Sequence, residues 1–238
     1  MNAASAPVAG TGRGDRARAG ARVLGIAIWM PYIALAIIHV TALAVGSDIA
    51  QPTKLTLMPL LALPVLYAAR HLRPRAVIAF LLGALLFSWL GDGAGAFFPA
   101  APELPLMLLF FGIAHIAYIV LFLRFARLRR MPWWTLAYVA WWIGMLWLLG
   151  PHTGGLLFAV AAYGLVLAGT AATSARCHPI VAIGGAFFLA SDSILALRLF
   201  LPEGLPGWMG PAVMLTYTLG QGLIVYGVLR SLSRNERR

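Results

Sequence analysis

The sequence predicts an all-α, polytopic membrane bundle of about eight transmembrane helices with both termini cytoplasmic, and three observations carry that expectation. Hydrophobic residues make up 61% of the chain and charged residues only 11%; a soluble domain of this length needs far more charge to cover its surface. Apolar runs long enough to cross a hydrocarbon core, about 20 residues for roughly 30 Å, recur along the chain. The basic residues fall in short clusters between those runs, as topology signals do.

Taken in order, residues 1–22 are rich in Ala, Gly and Arg without hydrophobic periodicity, and read as a disordered basic cytoplasmic tail. The apolar run at about 23–46 is too long for a signal-peptide core and lacks a cleavage site, so it is the first crossing. The remaining crossings fall near 54–69, 76–98, 104–125, 132–150, 154–174, 179–201 and 207–229. Residues 23–230 thus form one membrane-embedded helical domain, followed by a second basic tail at 231–238. No polar stretch is long enough for a separate soluble domain.

The charges test this map. Arg13, Arg16, Arg18 and Arg22 precede the first crossing; Arg70, Arg73 and Arg75 follow the second; Arg124, Arg127, Arg129 and Arg130 follow the fourth. Arg176 follows the sixth, and Arg230, Arg234, Arg237 and Arg238 follow the eighth. All 18 cations except Lys54 and Arg198 therefore fall on one side, with Asp48, Glu103 and Glu203 in the opposite loops. Arg and Lys bias sets orientation, so that side is cytoplasmic. A missed or extra helix would scramble the alternation.

Composition also bounds function. The net charge of +11 is spread as topology signals and not as a nucleic-acid patch. A single cysteine, Cys177, allows no internal disulfide and no cysteine metal site; its place is a cytoplasmic helix end, as a reduced thiol. All cations but Lys54 are arginine, which reads as the codon bias of a GC-rich bacterial genome and so as an inner-membrane protein. Nothing points to an obligate protein partner. Ser88 and Gly91-Asp92 in the third run echo Ser191-Asp192 in the seventh, which a parallel four-helix repeat would explain. Low-complexity apolar sequence also produces such echoes.

Function is most visible where polarity survives against its cost. A carboxylate inside a membrane helix costs roughly 2.5–3.5 kcal/mol on insertion scales, and this chain has two, Asp92 and Asp192. His115 and Tyr118 share a helix face in the fourth run, as do Tyr217 and Gln221 in the eighth. Lys54 opens the second run and Arg198 sits near the outer end of the seventh. Plainer roles exist for each. Lys54 and Arg198 can snorkel to the interface, Tyr217 and Gln221 can glue helices together, His115 can simply pack, and the aspartates can be ion-pair partners of the two cations. There is no P-loop, dinucleotide fingerprint, HExxH or Gly-x-Ser-x-Gly elbow, so no cofactor is expected. Two aspartates with His115 could still hold a metal.

Five pieces in order now carry a resemblance: Pro52-Thr53-Lys54, Phe87-Ser88-Trp89-Leu90-Gly91-Asp92, Ala114-His115-Ile116-Ala117-Tyr118, the run from Gly185 to Ser191-Asp192, and Tyr217-Thr218-Leu219-Gly220-Gln221. Over about residues 50–230 the chain resembles the YhhN-like family of membrane lysoplasmalogenases. The resemblance implies hydrolysis of the vinyl ether bond of a lysophospholipid-type substrate in the bilayer, giving a fatty aldehyde and a glycerophospho head group. It implies Asp92 and Asp192 as acid and base with His115 as proton shuttle. Lys54 and Arg198 would meet the phosphate, and Tyr118, Ser191, Tyr217 and Gln221 would line the substrate site. Two buried aspartates suit this chemistry, since vinyl ethers hydrolyse by protonation at carbon and water capture of the resulting oxocarbenium ion. The same intramembrane carboxylates also fit a small proton-coupled transporter or a lipid-binding membrane protein.

Overall fold

The computed structural model describes residues 25–201 and 203–235. The tail expected at 1–22 lies outside the described residues, as do 236–238. Among the described residues eight long helices follow one another through short connections: α1 (Met30–Ala44), α2 (Ala50–Ala68), α3 (Arg75–Asp92), α4 (Glu103–Arg124), α5 (Leu136–Leu149), α6 (Leu157–Ser174), α7 (Pro179–Phe200) and α8 (Met209–Asn235). No strand occurs among the described residues. Among the described residues seven of these spans are long and apolar enough to cross a membrane, the first counted from Gly25 and that of α5 from Trp133 to His152. The one left out is α2, whose 19 residues include Gln51, Lys54 and three prolines.

Helix boundaries follow local chemistry. Pro31 and Pro179 occupy first-turn positions of α1 and α7, where the missing N–H has no intrahelical partner anyway. His178 caps α7, its Nδ1 accepting from the Ile180 N–H at 3.3 Å. In α4, Glu103 in the first turn and Arg124 in the last both complement the helix dipole. Gly46, at φ 67°, ends the first helix in a backbone conformation that side chains disfavour.

Three expected boundaries shift. The second helix starts at Ala50, not near 54, because Pro52 is accommodated within the first turn. The third stops at Asp92 instead of running to 98: Gly93 breaks it, and Ala94–Phe97 form a separate single turn. The last continues to Asn235, into the segment expected to be tail.

The outside of the bundle is apolar. Trp133, Trp147 and Phe158 are 84%, 82% and 86% exposed, and Leu149 is the only residue of α5 that is buried. Such a surface suits hydrocarbon and not water. The inside is a close-packed core built from Leu57, Leu61, Leu81, Tyr118, Phe122, Phe188 and Ile224.

The arginine clusters meet at one end. The Leu128 and Arg129 N–H groups donate to the Arg176 carbonyl at 2.8 and 3.1 Å, and the Arg129 guanidinium to the Ala175 carbonyl at 2.7 Å. Partial burial and the charges of Arg230 and Arg234 hold the nearby His178 imidazole below its ordinary pKa. Gly25, His71, Arg230 and Arg234 line one cavity, so the start of α1 and the end of α8 share this face. Cys177 lies here too, with burial pushing its thiol up to about 12. From the charge bias, a reporter fused after Arg238 is expected to behave as cytoplasmic and one inserted near Glu203 as external. The reverse pair of results would overturn helix count and orientation together.

α7 and α8 cross closest. A Cβ on Gly220 would lie 2.8 Å from the Phe188 nitrogen, and one on Gly184 2.8 Å from the Ile224 nitrogen. Backbone cannot yield as a flexible side chain can, so these glycines set the approach of the two helices. Gly220→Ala is therefore expected to destabilise the bundle by about 1–3 kcal/mol. Gly112→Ala, facing open space, should leave the thermal midpoint near that of the parent or slightly higher. Equal midpoints for the two variants would refute the close-crossing account.

Candidate active site

At the end away from the arginine clusters, α2, α3 and α8 converge. Trp89 on α3 donates from Nε1 to the Leu55 carbonyl at 2.8 Å, pinning the end of α3 to the start of α2. This brings Lys54 Nζ to 3.6 Å from Asp92 Oδ1. The Tyr217 hydroxyl of α8 donates to Asp92 Oδ2 at 2.8 Å. Asp92 is the last residue of α3, where the helix dipole disfavours negative charge; the ammonium and the phenol offset that cost. The Asp92 side chain is 5% exposed and that of Lys54 35%, so the pair sits at the rim of the protected interior.

Asp192 occupies a different environment, between α4, α6 and α7. The Tyr163 hydroxyl donates to its Oδ2. His115 Nε2 lies 3.6 Å from the same oxygen. The far side of the His115 ring meets Thr170 Oγ1 at 3.1 Å, and that hydroxyl donates its own proton to the Val166 carbonyl at 3.0 Å. Thr170 therefore receives from His115 Nδ1–H, which leaves Nε2 turned to the carboxyl group. Phe188 packs on the imidazole at 4.7 Å between centroids, and the ring is wholly buried.

A cavity of about 560 Å³ joins the two carboxylates. Lys54, Asp92, Ser191, Asp192, Arg198 and Tyr217, all expected from the sequence, stand on its wall. Ser191 also donates to the Val213 carbonyl at 3.0 Å, which ties α7 to α8 beside the cavity. His115 stands behind Asp192, off the wall.

Tyr118 and Gln221 are fully buried and also off the wall. Tyr118 donates to Gln221 Oε1 at 2.5 Å, and Gln221 Nε2 donates to Ser88 Oγ at 3.0 Å. That chain fixes α3, α4 and α8 one helical turn inward of Tyr217, and so sets the height of Tyr217 against Asp92.

Further residues reach the site without having been singled out for it. Tyr163 is the hydrogen-bond partner of Asp192, and its only sequence signal is a shared helix face with Thr170, two turns on. His39 and Glu103 line the cavity as well. Asp192 further borders two narrow clefts of about 40 Å³ each. One is lined by Leu104, Leu108, Leu195 and Leu199, the other by Trp141, Met145, Leu149 and Leu167. Among the described residues no three His, Cys, Asp or Glu side chains gather closely enough to hold a metal ion, Asp92, His115 and Asp192 included.

The family model that matches the chain is that of the YhhN family, over residues 50–228. Every wall residue named above except His39 falls inside that span. No curated protein and no solved structure matches the chain. By the extent of the match, the chain belongs to the YhhN family.

Proposed function

We propose, from membership of the YhhN family and the site geometry, that this chain hydrolyses the vinyl ether bond of lysoplasmalogen-type lipids within the bilayer. One observation carries the reading: two carboxylates on different helices face one cavity, each with a different set of partners. Cations stand at its outer part, and apolar clefts adjoin Asp192.

In this reading the phosphate sits against Lys54 and Arg198, and the hydrocarbon chain leaves along the clefts beside Asp192. Asp92 already has a cation beside it and serves as the standing carboxylate. Asp192 and His115 form a neutral pair when they share one proton, and that proton is the one delivered. It adds to the alkenyl carbon remote from the ether oxygen, and the alkene electron pair forms the new C–H bond. The resulting oxocarbenium ion is stabilised by carboxylate charge. Water adds to the cationic carbon and gives a proton to the site. The hemiacetal then loses the glyceryl alcohol, and the remaining oxygen becomes the aldehyde carbonyl. His115 touches Asp192 and not the cavity, so it acts as a positioning residue that keeps the shared proton on the reacting side.

The test is aldehyde release by purified protein in detergent, without a sealed compartment. Turnover of an alkenyl lysolipid with no turnover of its saturated alkyl analogue is the expected result. Activity that needs vesicles and a proton gradient would instead make the carboxylates parts of a transport relay.

A further inference from the structure

Among the described residues, one buried side-chain nitrogen or oxygen lacks any hydrogen-bond partner: Nε2 of His39. The ring belongs to α1, is 1% exposed, and lines the cavity that holds Lys54, both aspartates and Tyr217. Its other nitrogen, Nδ1, is 2.9 Å from Thr53 Oγ1. The Thr53 hydroxyl has one proton, and its oxygen lies 2.7 Å from the Ile49 carbonyl and 3.0 Å from that of Ala50. With that proton directed to backbone, Thr53 can only accept from the ring. His39 therefore carries hydrogen on Nδ1 and presents a bare lone pair at Nε2.

A shielded acceptor with no donor is costly and rare in native proteins. Water in bulk does not reach it, and the nearest cation, Lys54, is engaged with Asp92 at 3.6 Å. A donor held in the cavity that His39 lines would complete it.

We infer that His39 is the acceptor for the free hydroxyl on the central glycerol carbon, and so selects the lyso form of the lipid. This rests on the reading of the cavity as a lipid site. In a 1-alkenyl lysolipid the ether oxygen is on one terminal carbon and the phosphate on the other. With the ether at the aspartates and the phosphate at Lys54 and Arg198, the central hydroxyl lies between them, along the wall to which His39 belongs. A lipid acylated at that carbon has no proton there and turns ester oxygens toward the lone pair. A polar group built to pair with a substrate hydroxyl rejects the analogue lacking it.

The experiment uses saturated 1-alkyl ether lipids with a choline head group, which carry no cleavable bond and no N–H donor. One probe bears the central hydroxyl and the other is its deoxy analogue; binding to the full chain is measured in nanodiscs. The protein should bind the hydroxyl probe about tenfold more tightly than the deoxy probe. His39→Gln, which keeps an acceptor near the Nε2 position, should retain most of that ratio, while His39→Met should bring it close to one. A ratio near one in the unmutated protein, which needs no variant to fold, overturns the inference, as does a ratio unchanged in His39→Met. Neither outcome touches the hydrolysis reading, because the probes cannot react. Failure of both probes to bind would overturn the lipid-site reading and this inference with it.

Discussion

Asp192→Asn and Asp92→Asn are each expected to lower the rate of aldehyde release by about 10²–10⁴-fold, the usual cost of removing a catalytic acid or base. Asn keeps the volume and leaves an oxygen to accept from Tyr163 or Tyr217. It also removes a desolvated carboxylate, which favours membrane insertion. Normal yield and an intact bundle with little turnover would therefore point to chemistry and not to folding. If the two carboxyl groups act on one proton-transfer sequence, as proposed, the double variant should be scarcely slower than the slower single variant. Rate-limiting protonation at carbon should also give a solvent isotope effect in the parent protein. Near-parental turnover in both Asn variants would make the aspartates structural.

Much of this site was legible because the membrane penalises polarity so strongly. Asp92, Asp192, Lys54 and Arg198 stand out in apolar runs, and all five pieces that carried the family resemblance contain a cavity-wall or wall-supporting residue. Tyr163 did not stand out, because tyrosine is tolerated in membrane helices and nothing along α6 says that it faces Asp192. That pairing depends on how α6 is rotated against α7, which only packing decides. His39 sits in the first apolar run, but its bare nitrogen follows from where the Thr53 hydroxyl sends its proton, a tertiary detail.

Helix ends were least legible where a usual signal was overruled. The second crossing was expected to begin near 54, and instead Pro52 lies in the first turn of α2, since a proline there forfeits no intrahelical bond. That shift carries Lys54 from the entrance of the helix to its second turn, which puts its ammonium within reach of Asp92. The pairing of an aspartate with Lys54, one of the plainer roles open to both, is present. Arg198 makes no ion pair or hydrogen bond among the described residues, although it stands on the same cavity wall.

That difference between the two cations yields opposite expectations for their removal. Arg198 is exposed and unpaired, so Arg198→Gln should leave stability unchanged and raise KM with kcat near that of the parent, the signature of lost uniform binding. Lys54→Met does two things at once. On the proposed reading it removes a phosphate contact, and it leaves Asp92 buried without its cation, which in a fully enclosed pair costs about 3–5 kcal/mol. Since the Lys54 side chain is 35% exposed, part of its charge is already screened, and about 1–3 kcal/mol is the better expectation. Both stability and kcat should therefore fall along with substrate affinity. Adding Asp92→Asn to Lys54→Met removes the orphaned charge, so the double variant should regain most of the lost stability while staying inactive. The cycle of four proteins, followed by thermal unfolding and by KM and kcat, isolates the ion-pair coupling from the binding effect. A Lys54→Met variant as stable as the parent, with no recovery on adding Asp92→Asn, would show that the ammonium reaches past Asp92 to solvent, and that the pair contributes nothing to holding the site.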